Sequence, residues 1–461
     1  MGNVYIGDAN SIARKIKCGY IGVDGIARKI KQIYVGDESG KARVAWQSVL
    51  DKVTSYLSVK KTSGCTIDTL HLTTTIYSGY IYHDLLTQSK NPNVIYFPCY
   101  FGYTDTISSR EYKDYYIKKV TLDANENISS IKSIKVGYGI YGPNQNDTIT
   151  FHCMFEIGNY LFCSYTYGSM SNEGPNRYMI LCDMDQQEIV YSKKYAAWQY
   201  NEMDIKSGFA FNDTTAVVTY GIGCSIALLK LSGTEIVIKS NQYLKDPTGG
   251  YEIKYDDYFQ VVKLSNTKGL IMGYYSGGDE LVCACAFKLN DDNESLTFGT
   301  VVKFPYGIVC NTSNNSSLLP INNTNAVFCC EYDHGSSSRL YQIPTIVNDD
   351  LTVTFGTYYD EYSDWTHPFL FRKLASSTTS YGVRGNNCGF VTYEYDVVNA
   401  KIIYKGLLTP QNNPAGITGF RGTPISFKDN KMLAFDYIRY DDDVGYMDHH
   451  YELIPCIAEF K

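Results

Sequence analysis

One pattern recurs through most of this chain at intervals of 53 to 66 residues, and it limits the folds that the chain can adopt. A short polar turn is followed by an apolar, tyrosine-rich strand, a Gly/Ser/Asn-rich loop, a second strand, an acidic turn and a third strand. The first turns fall near Asn93, Asn159, Asp213, Thr267, Thr324, Ser377 and Asn430. A repeat of this length matches one four-stranded blade of a β-propeller. The pattern therefore favours a repeat architecture over a β-sandwich.

A second landmark gives a similar spacing. The outer strand of each unit begins near Ile128, Ile189, Ile236, Leu296, Leu351 and Ile402, at intervals of 47 to 61 residues. Asn/Asp-rich turns such as LDANEN and NDDNES precede it, as hairpin turns require. We therefore predict an all-β chain with a seven-bladed β-propeller over residues 65–461; six or eight blades stay open because the first interval is long.

The last unit ends the chain without an obvious outer strand. The segment Thr66–Ile76, with the sequence TIDTLHLTTTI, could supply that strand from the start of the body. Such a closure would remove exposed strand edges, which otherwise invite aggregation.

The first 46 residues follow a different, shorter repeat. Units led by Tyr5, Tyr20 and Tyr34 succeed one another after 15 and then 14 residues. In the second unit, Asp24-Gly25 separates two β-prone runs, which is the strongest short hairpin signal because both central turn positions need positive φ. Hairpins this short cannot bury a core alone, so they must stack on one another or on a partner.

The string YIGVDGIARKIKQIYVG resembles tandem repeats in tail and tail-fibre-like proteins of phages and prophages of Gram-positive (Firmicutes) bacteria. The resemblance covers roughly residues 4–46. The first unit departs from the pattern, with Asp8-Ala9-Asn10-Ser11 in place of the tight turn, and the third unit loses its Lys-Ile-Lys tail. The resemblance implies a virion protein, made in the bacterial cytoplasm, that docks on other virion proteins through residues 1–46.

The residues expected to make that docking contact are the tyrosines that lead the repeats, the basic residues of the hairpins and the closing tryptophan. They are Tyr5, Tyr20, Tyr34, Arg14, Arg28, Lys29, Lys31 and Trp46. Residues 1–46 carry eight basic and four acidic side chains, a net charge of +4, whereas the whole chain carries −7. A basic head on an acidic body fits docking to an acidic protein surface, although a simple solvated face explains the charge equally well. Nucleic-acid binding is a weaker interpretation.

Residues 47–64 are expected to link the two parts. Trp46, Val49, Leu50, Val53 and Leu57 recur at helical spacing, so a short amphipathic helix over Val44–Leu57 and an irregular linker both fit. No apolar run is long enough for a membrane span, and no secretory signal is evident. Most of the 14 cysteines lie in or against apolar strand runs, which predicts buried free thiols rather than a disulfide framework.

Three groups of residues could carry chemistry. The motif GYGIYG at Gly137, Gly139 and Gly142 matches a dinucleotide fingerprint, but a loop-like PNQND follows where a helix is needed. The run Asp441–Asp443 with Asp448, His449 and His450 is rich in metal-capable groups but fits a solvated loop better. Asp360, Glu361 and Asp364, beside Trp365 and His367, could form a glycan-cleaving carboxylate pair only if they converge. Asp291–Glu294 and Asp349-Asp350 are equally well explained as turn residues.

Binding loops are the other candidate. The segments Thr166–Tyr178, Gly273–Glu280 and Tyr332–Arg339 occupy equivalent positions in successive units and combine tyrosine with small polar residues. This composition suits adaptable binding loops, and ordinary hairpin tips explain it as well.

We therefore predict a structural, non-enzymatic phage virion protein of the tail, baseplate or fibre that uses no cofactor. Its propeller would bind a host-surface glycan or neighbouring virion proteins, with copy number imposed by the particle and no nucleic-acid or membrane partner. The alternatives are a glycan-processing propeller enzyme on a virion and a capsid or tail decoration protein without host contact.

Overall fold

The chain is described by a computed structural model. It covers the strands between residues 5 and 81 and the residues 85–105, 110–142, 145–168, 176–195, 205–220, 225–244, 259–275, 281–306, 316–333, 338–363, 371–373, 379–384, 389–408, 410–412, 425–428, 431–441 and 448–460. For the strands before residue 85 and for much of residues 371–391 and 410–460, the backbone alone is described. All regular elements in these ranges except a single 3₁₀ residue are strands, and none is an α-helix.

Two compact units divide the chain. The first comprises residues 1–57 and 459–461, and the second comprises residues 58–458. Three separate two-stranded hairpins form the first unit. Their strands are β1 (Tyr5–Gly7) with β2 (Ala13–Lys15), β3 (Gly19–Val23) with β4 (Ile26–Ile30), and β5 (Gln32–Gly36) with β6 (Ala42–Gln47).

The predicted tight turn of the second hairpin is confirmed. Val23 and Ile26 are register partners, so Asp24-Gly25 forms a two-residue connection. Of the two alternatives for Val44–Leu57, the helix does not reach either end, because Val44 and Trp46 lie in β6 and Leu57 begins β7 (Leu57–Lys61); residues 48–56 lie outside the described residues. Strand pairing satisfies the backbone there, which outweighs a helical spacing of only a few apolar residues. β7 lies inside the segment 47–64 that was expected to link the two parts, and it belongs to the last sheet of the body.

The second unit is a succession of antiparallel sheets. Sheet 1 contains β9 (Ile76–Ile81), β10 (Thr87–Gln88), β11 (Val94–Asp105), β12 (Arg110–Leu122) and β13 (Ile128–Gly142). Sheet 2 contains β14 (Gln145–Ile157), β15 (Tyr160–Gly168), β16 (Asn176–Asp183) and β17 (Glu188–Tyr195). Sheet 3 contains β18 (Ser207–Ala210), β19 (Thr215–Tyr220), β20 (Ser225–Ser232) and β21 (Glu235–Tyr243). The facing ends of β13 and β14 also pair, which joins sheets 1 and 2.

Sheets 4 to 6 repeat the same four-stranded order. Sheet 4 contains β22 (Phe259–Lys263), β23 (Lys268–Tyr275), β24 (Leu281–Leu289), β25 (Leu296–Phe298) and β26 (Val302–Lys303). Sheet 5 contains β27 (Ser317–Pro320), β28 (Asn325–Asp333), β29 (Ser338–Val347), β30 (Val353–Phe355) and β31 (Tyr359–Ser363). Sheet 6 contains β32 (Phe371–Lys373), β33 (Thr379–Arg384), β34 (Gly389–Asp396) and β35 (Lys401–Leu408).

The last sheet combines strands from both ends of the body. Sheet 7 contains β36 (Pro410–Asn412), β37 (Ile425–Lys428), β38 (Lys431–Asp441), β39 (Asp448–Phe460), β7 and β8 (Cys65–His71). The predicted closing strand is confirmed, because β8 pairs antiparallel with β39 from Cys65↔Leu453 to His71↔Asp448. It ends at His71, and Ile76 instead begins β9 of sheet 1.

Side chains of the central strands alternate between the two neighbouring sheets, which explains their nearly continuous apolar runs. In β19, Ala216 and Val218 pack toward sheet 2, whereas Val217 packs toward sheet 4. Six core clusters of the described residues follow this rule, and five of them lie between consecutive sheets from 1 to 6. The sixth joins Ile95 and Phe97 of sheet 1 to Leu433 of sheet 7, so the first sheet packs on the last.

Consecutive four-stranded meanders that pack face to face, with the last sheet against the first, are the architecture of a β-propeller. The predicted all-β fold is therefore confirmed. Each of the seven first-turn positions, from Asn93 to Asn430, precedes the second strand of one of the seven sheets, which supports seven blades. The number of blades stays a prediction.

A single turn geometry recurs between the third and fourth strands. Among the residues that the structure describes, five that are not glycine have positive φ, and all five lie at this turn in different sheets: Glu126, Gln187, Asn293, Leu351 and Ala400. Gly233 occupies the same place in sheet 3. Two of these turns lie against a glycine of the preceding sheet. A Cβ on Gly299 would come 2.2 Å from the backbone oxygen of Leu351, and a Cβ on Gly356 would come 2.0 Å from that of Ala400. Adjacent sheets are thus fitted together through backbone contacts that admit no side chain.

Candidate binding surfaces and a carboxylate site

Each sheet of the body has a turn end and a loop end. In an up-and-down meander, the connections between strands one and two and between strands three and four lie at one end, which we call the turn end. The connection between strands two and three lies at the other, the loop end. The segments Thr166–Tyr178, Gly273–Glu280 and Tyr332–Arg339 all make that connection, in sheets 2, 4 and 5. Their predicted equivalence is confirmed, although sheet 3 separates the first segment from the other two; residues 169–175, 276–280 and 334–337 lie outside the described residues.

The acidic residues of the turn end are structural. Asp292 Oδ1 accepts hydrogen bonds from the backbone N–H groups of Glu294 and Ser295 at 2.8 and 3.1 Å. Asp350 Oδ1 accepts hydrogen bonds from the Thr352 hydroxyl at 2.7 Å and from the Thr352 backbone N–H at 3.0 Å. These hydrogen bonds stabilise the ionised form and hold the pKa of both carboxyls below the usual value. The turn interpretation of Asp291–Glu294 and Asp349-Asp350 is therefore confirmed.

Lysines at the turn end tie neighbouring sheets together. Lys268 of sheet 4 pairs with Asp349 of sheet 5 at 2.8 Å, and Lys431 of sheet 7 pairs with Glu126 of sheet 1 at 2.6 Å. Both lysines begin the second strand of their sheet, and both carboxylates lie in the following sheet's last turn. The two pairs are thus equivalent in the repeat, and the second pair connects the last sheet to the first.

A shallow depression of about 530 Å³ lies at the turn end between sheets 4 and 5, beside Lys263, Ser265, Thr267 and Asn323. The Lys263 ammonium donates a hydrogen bond to the carbonyl oxygen of Phe211 at 2.7 Å, in sheet 3. Partial burial lowers the pKa of Lys263. Its amine is therefore engaged in joining sheets 3 and 4.

The two described members of the suspected carboxylate pair point in opposite directions. Asp360 and Glu361 are neighbours on β31, and successive side chains of a strand lie on opposite faces of the sheet. Asp360 accepts a hydrogen bond from the Arg339 guanidinium at 2.5 Å. Glu361 accepts hydrogen bonds from the hydroxyls of Tyr359, at 3.2 Å, and of Tyr393.

This geometry decides what the pair can do. Tyr393 is fully buried in the cluster between sheets 5 and 6, and burial, reinforced by Glu361, raises its pKa well above the usual value. Burial and the same carboxylate raise the pKa of Tyr359 to about 12. Glycoside hydrolysis needs two carboxyl groups that face one bond, whereas Asp360 and Glu361 hold different partners on different sides of the strand. Asp364, Trp365 and His367 lie outside the described residues.

Of the other two sequence motifs, GYGIYG lies in a strand, and the side chains of the Asp/His-rich run lie outside the described residues. Gly137, Gly139 and Gly142 lie within β13, and β14 rather than a helix follows, so the strand–helix context of the dinucleotide fingerprint is missing. Gln145, Asn146 and Asp147, which were expected in a loop, belong to β14. A Cβ on Gly139 would lie 2.4 Å from the Asp147 carbonyl oxygen, so close strand contact explains the glycine. The side chains of Asp441, Asp448, His449 and His450 lie outside the described residues, as do Asp442 and Asp443.

Within the ranges that the structure describes, no three His, Cys, Asp or Glu side chains gather as metal ligands would. The same part of the chain contains no helix of the length and apolar character that a bilayer crossing requires. The eight cysteines whose surroundings are described are all buried, and none of them forms a disulfide: Cys99, Cys153, Cys163, Cys182, Cys283, Cys285, Cys329 and Cys330. The prediction of buried thiols is confirmed for these eight.

The predicted docking residues are described by backbone position. Tyr5 and Tyr20 are register partners of Lys15 and Lys29, so these two hairpins share one arrangement. A bulge in the third hairpin places Tyr34 opposite Val44 instead. Arg14 and Arg28 pair with the residues that follow the first two tyrosines, and Trp46 pairs with Ile33. Lys31 lies outside the described residues, and the docking role stays a prediction.

No family model matches the chain, and no curated protein matches it. Among solved structures, it is similar to hydrazine synthase of Kuenenia stuttgartiensis, with 9% identity, a TM-score of 0.44, and coverage of 76% of this chain and 91% of that one. It is similar to the Nup133 β-propeller domain of Vanderwaltozyma polyspora, with 10% identity, a TM-score of 0.39 and coverage of 85% and 100%. The WD40 domain of SCAP from fission yeast gives 10% identity, a TM-score of 0.33 and coverage of 90% and 97%.

The structure also brings together residues that sequence reasoning did not connect. Tyr306 and Tyr358 are 52 positions apart, and their rings lie 5.2 Å apart at the contact between sheets 4 and 5. Both follow short outer strands, in the segments FPY and TYY. Tyr306 follows β26, whereas Tyr358 lies between β30 and β31, so the two tyrosines do not share a position in the repeat and their spacing in the chain carried no signal of their contact.

Proposed function

We propose that this chain is a structural component of a phage particle, in the tail, baseplate or fibre, that docks through its N-terminal hairpins and presents its propeller for binding. The observation that carries the proposal is the division of the chain into two units of different construction. Three independent hairpins with a short repeat precede a body built from a much longer repeat. The three hairpins do not pair with one another into a larger sheet, and an isolated hairpin is only marginally stable. A unit of this kind is therefore suited to contacts with a partner.

The body supplies the display part of this proposal. Seven sheets repeat one connection at their loop ends, and the loops there combine tyrosine with small polar residues in sheets 2, 4 and 5. Repeated copies on a particle would multiply weak contacts, because a second binding event becomes intramolecular. A host-surface glycan and neighbouring virion proteins are both suitable ligands. The opposed directions of Asp360 and Glu361 give the glycan-processing alternative no support at that pair.

Antibodies raised against the full chain test the location. Applied to purified particles of the phage or induced prophage that encodes the chain, they should label one defined position in electron micrographs. Particles from a deletion strain provide the control. Absence of label from intact particles, with the chain confined to the soluble lysate, would contradict the proposal.

A turn variant tests the docking module within the full chain. Valine at both central positions of the β3–β4 turn, Asp24→Val with Gly25→Val, is incompatible with the positive φ of a two-residue hairpin turn. The variant should fail to join particles while the body unfolds at the wild-type temperature. Thr234→Val with Glu235→Val, at an exposed turn of sheet 3, adds the same side chains to the body and should assemble normally.

A further inference from the structure

An aromatic surface lies along the contact between sheets 4 and 5. Tyr306, just after β26, is 55% exposed, and its ring centroid lies 5.2 Å from that of the half-buried Tyr358. Tyr358 in turn lies 6.1 Å from Tyr341 of β29. We call Tyr306, Tyr358 and Tyr341, together with Arg339 and Asp360, the tyrosine strip. Its rings come from two different sheets.

Buried aromatic residues hold these rings in place. Phe304 is 1% exposed and lies 5.4 Å from Tyr306 and 5.9 Å from Tyr358. It also meets Phe355 edge to face at 5.1 Å. Rings that are packed from below lose little freedom when a ligand covers them, so less of the contact energy is spent on ordering side chains.

Charged groups complete the strip at one end. Asp360 is the register partner of Tyr341, and it binds the Arg339 guanidinium at 2.5 Å. The two charged side chains are 38% and 34% exposed. Partial burial raises the pKa of Tyr341, and Arg339, Asp360 and Tyr358 all contribute to its electrostatic surroundings. Because Asp360 lies opposite Tyr341 and the Tyr341 ring lies 6.1 Å from the Tyr358 ring, the rings and the ion pair are contiguous.

We propose that the tyrosine strip is a saccharide-binding site that takes neutral hexose units of a polysaccharide. A pyranose ring has flat C–H faces that pack on aromatic rings and a rim of hydroxyl groups that both donate and accept hydrogen bonds. The strip offers phenol rings for the faces, and it offers a donor-only guanidinium beside an acceptor-only carboxylate for the rim. This inference rests on the proposed function, whose ligand class it names.

The charges on the strip favour this ligand over others. Arg339 and Asp360 cancel each other, so an acidic polymer would meet Asp360 as strongly as Arg339. An apolar peptide segment would have to desolvate the ion pair without replacing its hydrogen bonds to water, which is costly. A neutral polyhydroxyl ligand replaces those hydrogen bonds while it covers the rings.

The experiment uses the full chain and four hexasaccharides as probes: three neutral ones, linked as amylose, cellulose and β-galactan, and one oligouronate. Isothermal titration calorimetry and saturation-transfer NMR measure binding. At least one neutral probe should bind, and more tightly than the oligouronate. Tyr306→Ala and Tyr358→Ala should each weaken that binding by about tenfold, the loss expected for one stacked ring. Arg339→Lys, which removes the planar fork but keeps the charge, should weaken it several-fold.

Tyr138 provides a matched control. It is 55% exposed, like Tyr306, but lies on β13 of sheet 1. Tyr138→Ala should bind the probe as the wild type does, and thermal unfolding should show that all variants are folded. The inference is overturned if no neutral probe binds, if the oligouronate binds best, or if Tyr306→Ala and Tyr358→Ala retain wild-type affinity.

Failure of the inference differs from failure of the proposed function. A chain that labels particles but binds no neutral hexasaccharide contradicts the saccharide site alone. A chain that binds the probe through the tyrosine strip but is absent from particles contradicts the virion role alone.

Discussion

The pair between Lys431 and Glu126 connects the last sheet of the body to the first, and its removal should weaken closure of the fold. The nitrogen and oxygen atoms lie 2.6 Å apart, and the side chains are 22% and 9% exposed. Lys431→Met keeps most of the apolar stem of the lysine while it deletes the charge. The variant thus isolates the ion pair from the surrounding packing.

The burial of the two groups sets the size of the effect. Loss of one partner from a fully buried ion pair costs about 3–5 kcal/mol because the other charge is left without compensation. Water can reach part of the Lys431 site, so we expect a decrease of about 2–3 kcal/mol in the free energy of unfolding. The equivalent pair between sheets 4 and 5 is the control: Asp349 is fully exposed, so Lys268→Met should cause no measurable change.

Urea denaturation followed by far-ultraviolet circular dichroism measures both variants. Lys431→Met should lower the midpoint with an unchanged slope, which indicates a loss of stability rather than a change in compactness. A double-mutant cycle with Glu126→Gln should give a coupling energy of at least about 1 kcal/mol. Equal midpoints for Lys431→Met and Lys268→Met, or a coupling energy of zero, would refute the reasoning.

Three further predictions concern the turns and the core. Gly356→Ala should lower the free energy of unfolding by about 1–3 kcal/mol, because the new Cβ meets the Ala400 carbonyl oxygen at 2.0 Å. Thermal unfolding measures the effect, and Thr357→Ala at the exposed neighbouring position is the control that should leave the unfolding temperature unchanged. Eight of the 14 cysteines are buried, so a thiol reagent should modify at most 14 − 8 = 6 in the native chain and all of them in guanidinium; more than six native reactions would contradict the packing. Hydrogen bonds from Lys132 and Lys119 hold the pKa of Asp185 below its ordinary 3.8, so its stabilisation is present above that pH and is lost as the pH falls through the lower folded-state value. Asp185→Asn should therefore be less stable than the wild type at pH 7, and this deficit should shrink as the pH falls below 3.8; a deficit that does not change with pH would exclude this origin.

Most of the fold could be predicted from the periodic features of the sequence. Turns near Asn93, Asn159 and Asp213 each precede a second strand, because short Asn/Asp turns and apolar runs are local signals that survive in every repeat. The same locality explains the correct Asp24-Gly25 hairpin. The helical alternative for Val44–Leu57 does not hold for its first residues, because pairing with β5, which the spacing of apolar residues does not reveal, decided the conformation of β6.

Less of the candidate site than of the fold could be predicted from the sequence. Asp360 and Glu361 are adjacent in the chain, which suggested a pair, yet the alternation of β31 separates them. Tyr306 and Tyr358 are distant in the chain, and contact between sheets 4 and 5 joins them. Convergence of side chains from different sheets depends on packing, so composition and spacing alone do not reveal it.

Strands β7 and β8 come from the first part of the body, and both lie beside β39 in sheet 7. Sheet 7 therefore cannot be completed until β39 has been synthesised, almost the whole length of the body after β8. Sheets 2 to 5 each contain only consecutive strands, so each can form as soon as its own segment is available. Folding of the nascent chain should thus end at sheet 7, where the first and last strands of the body pair.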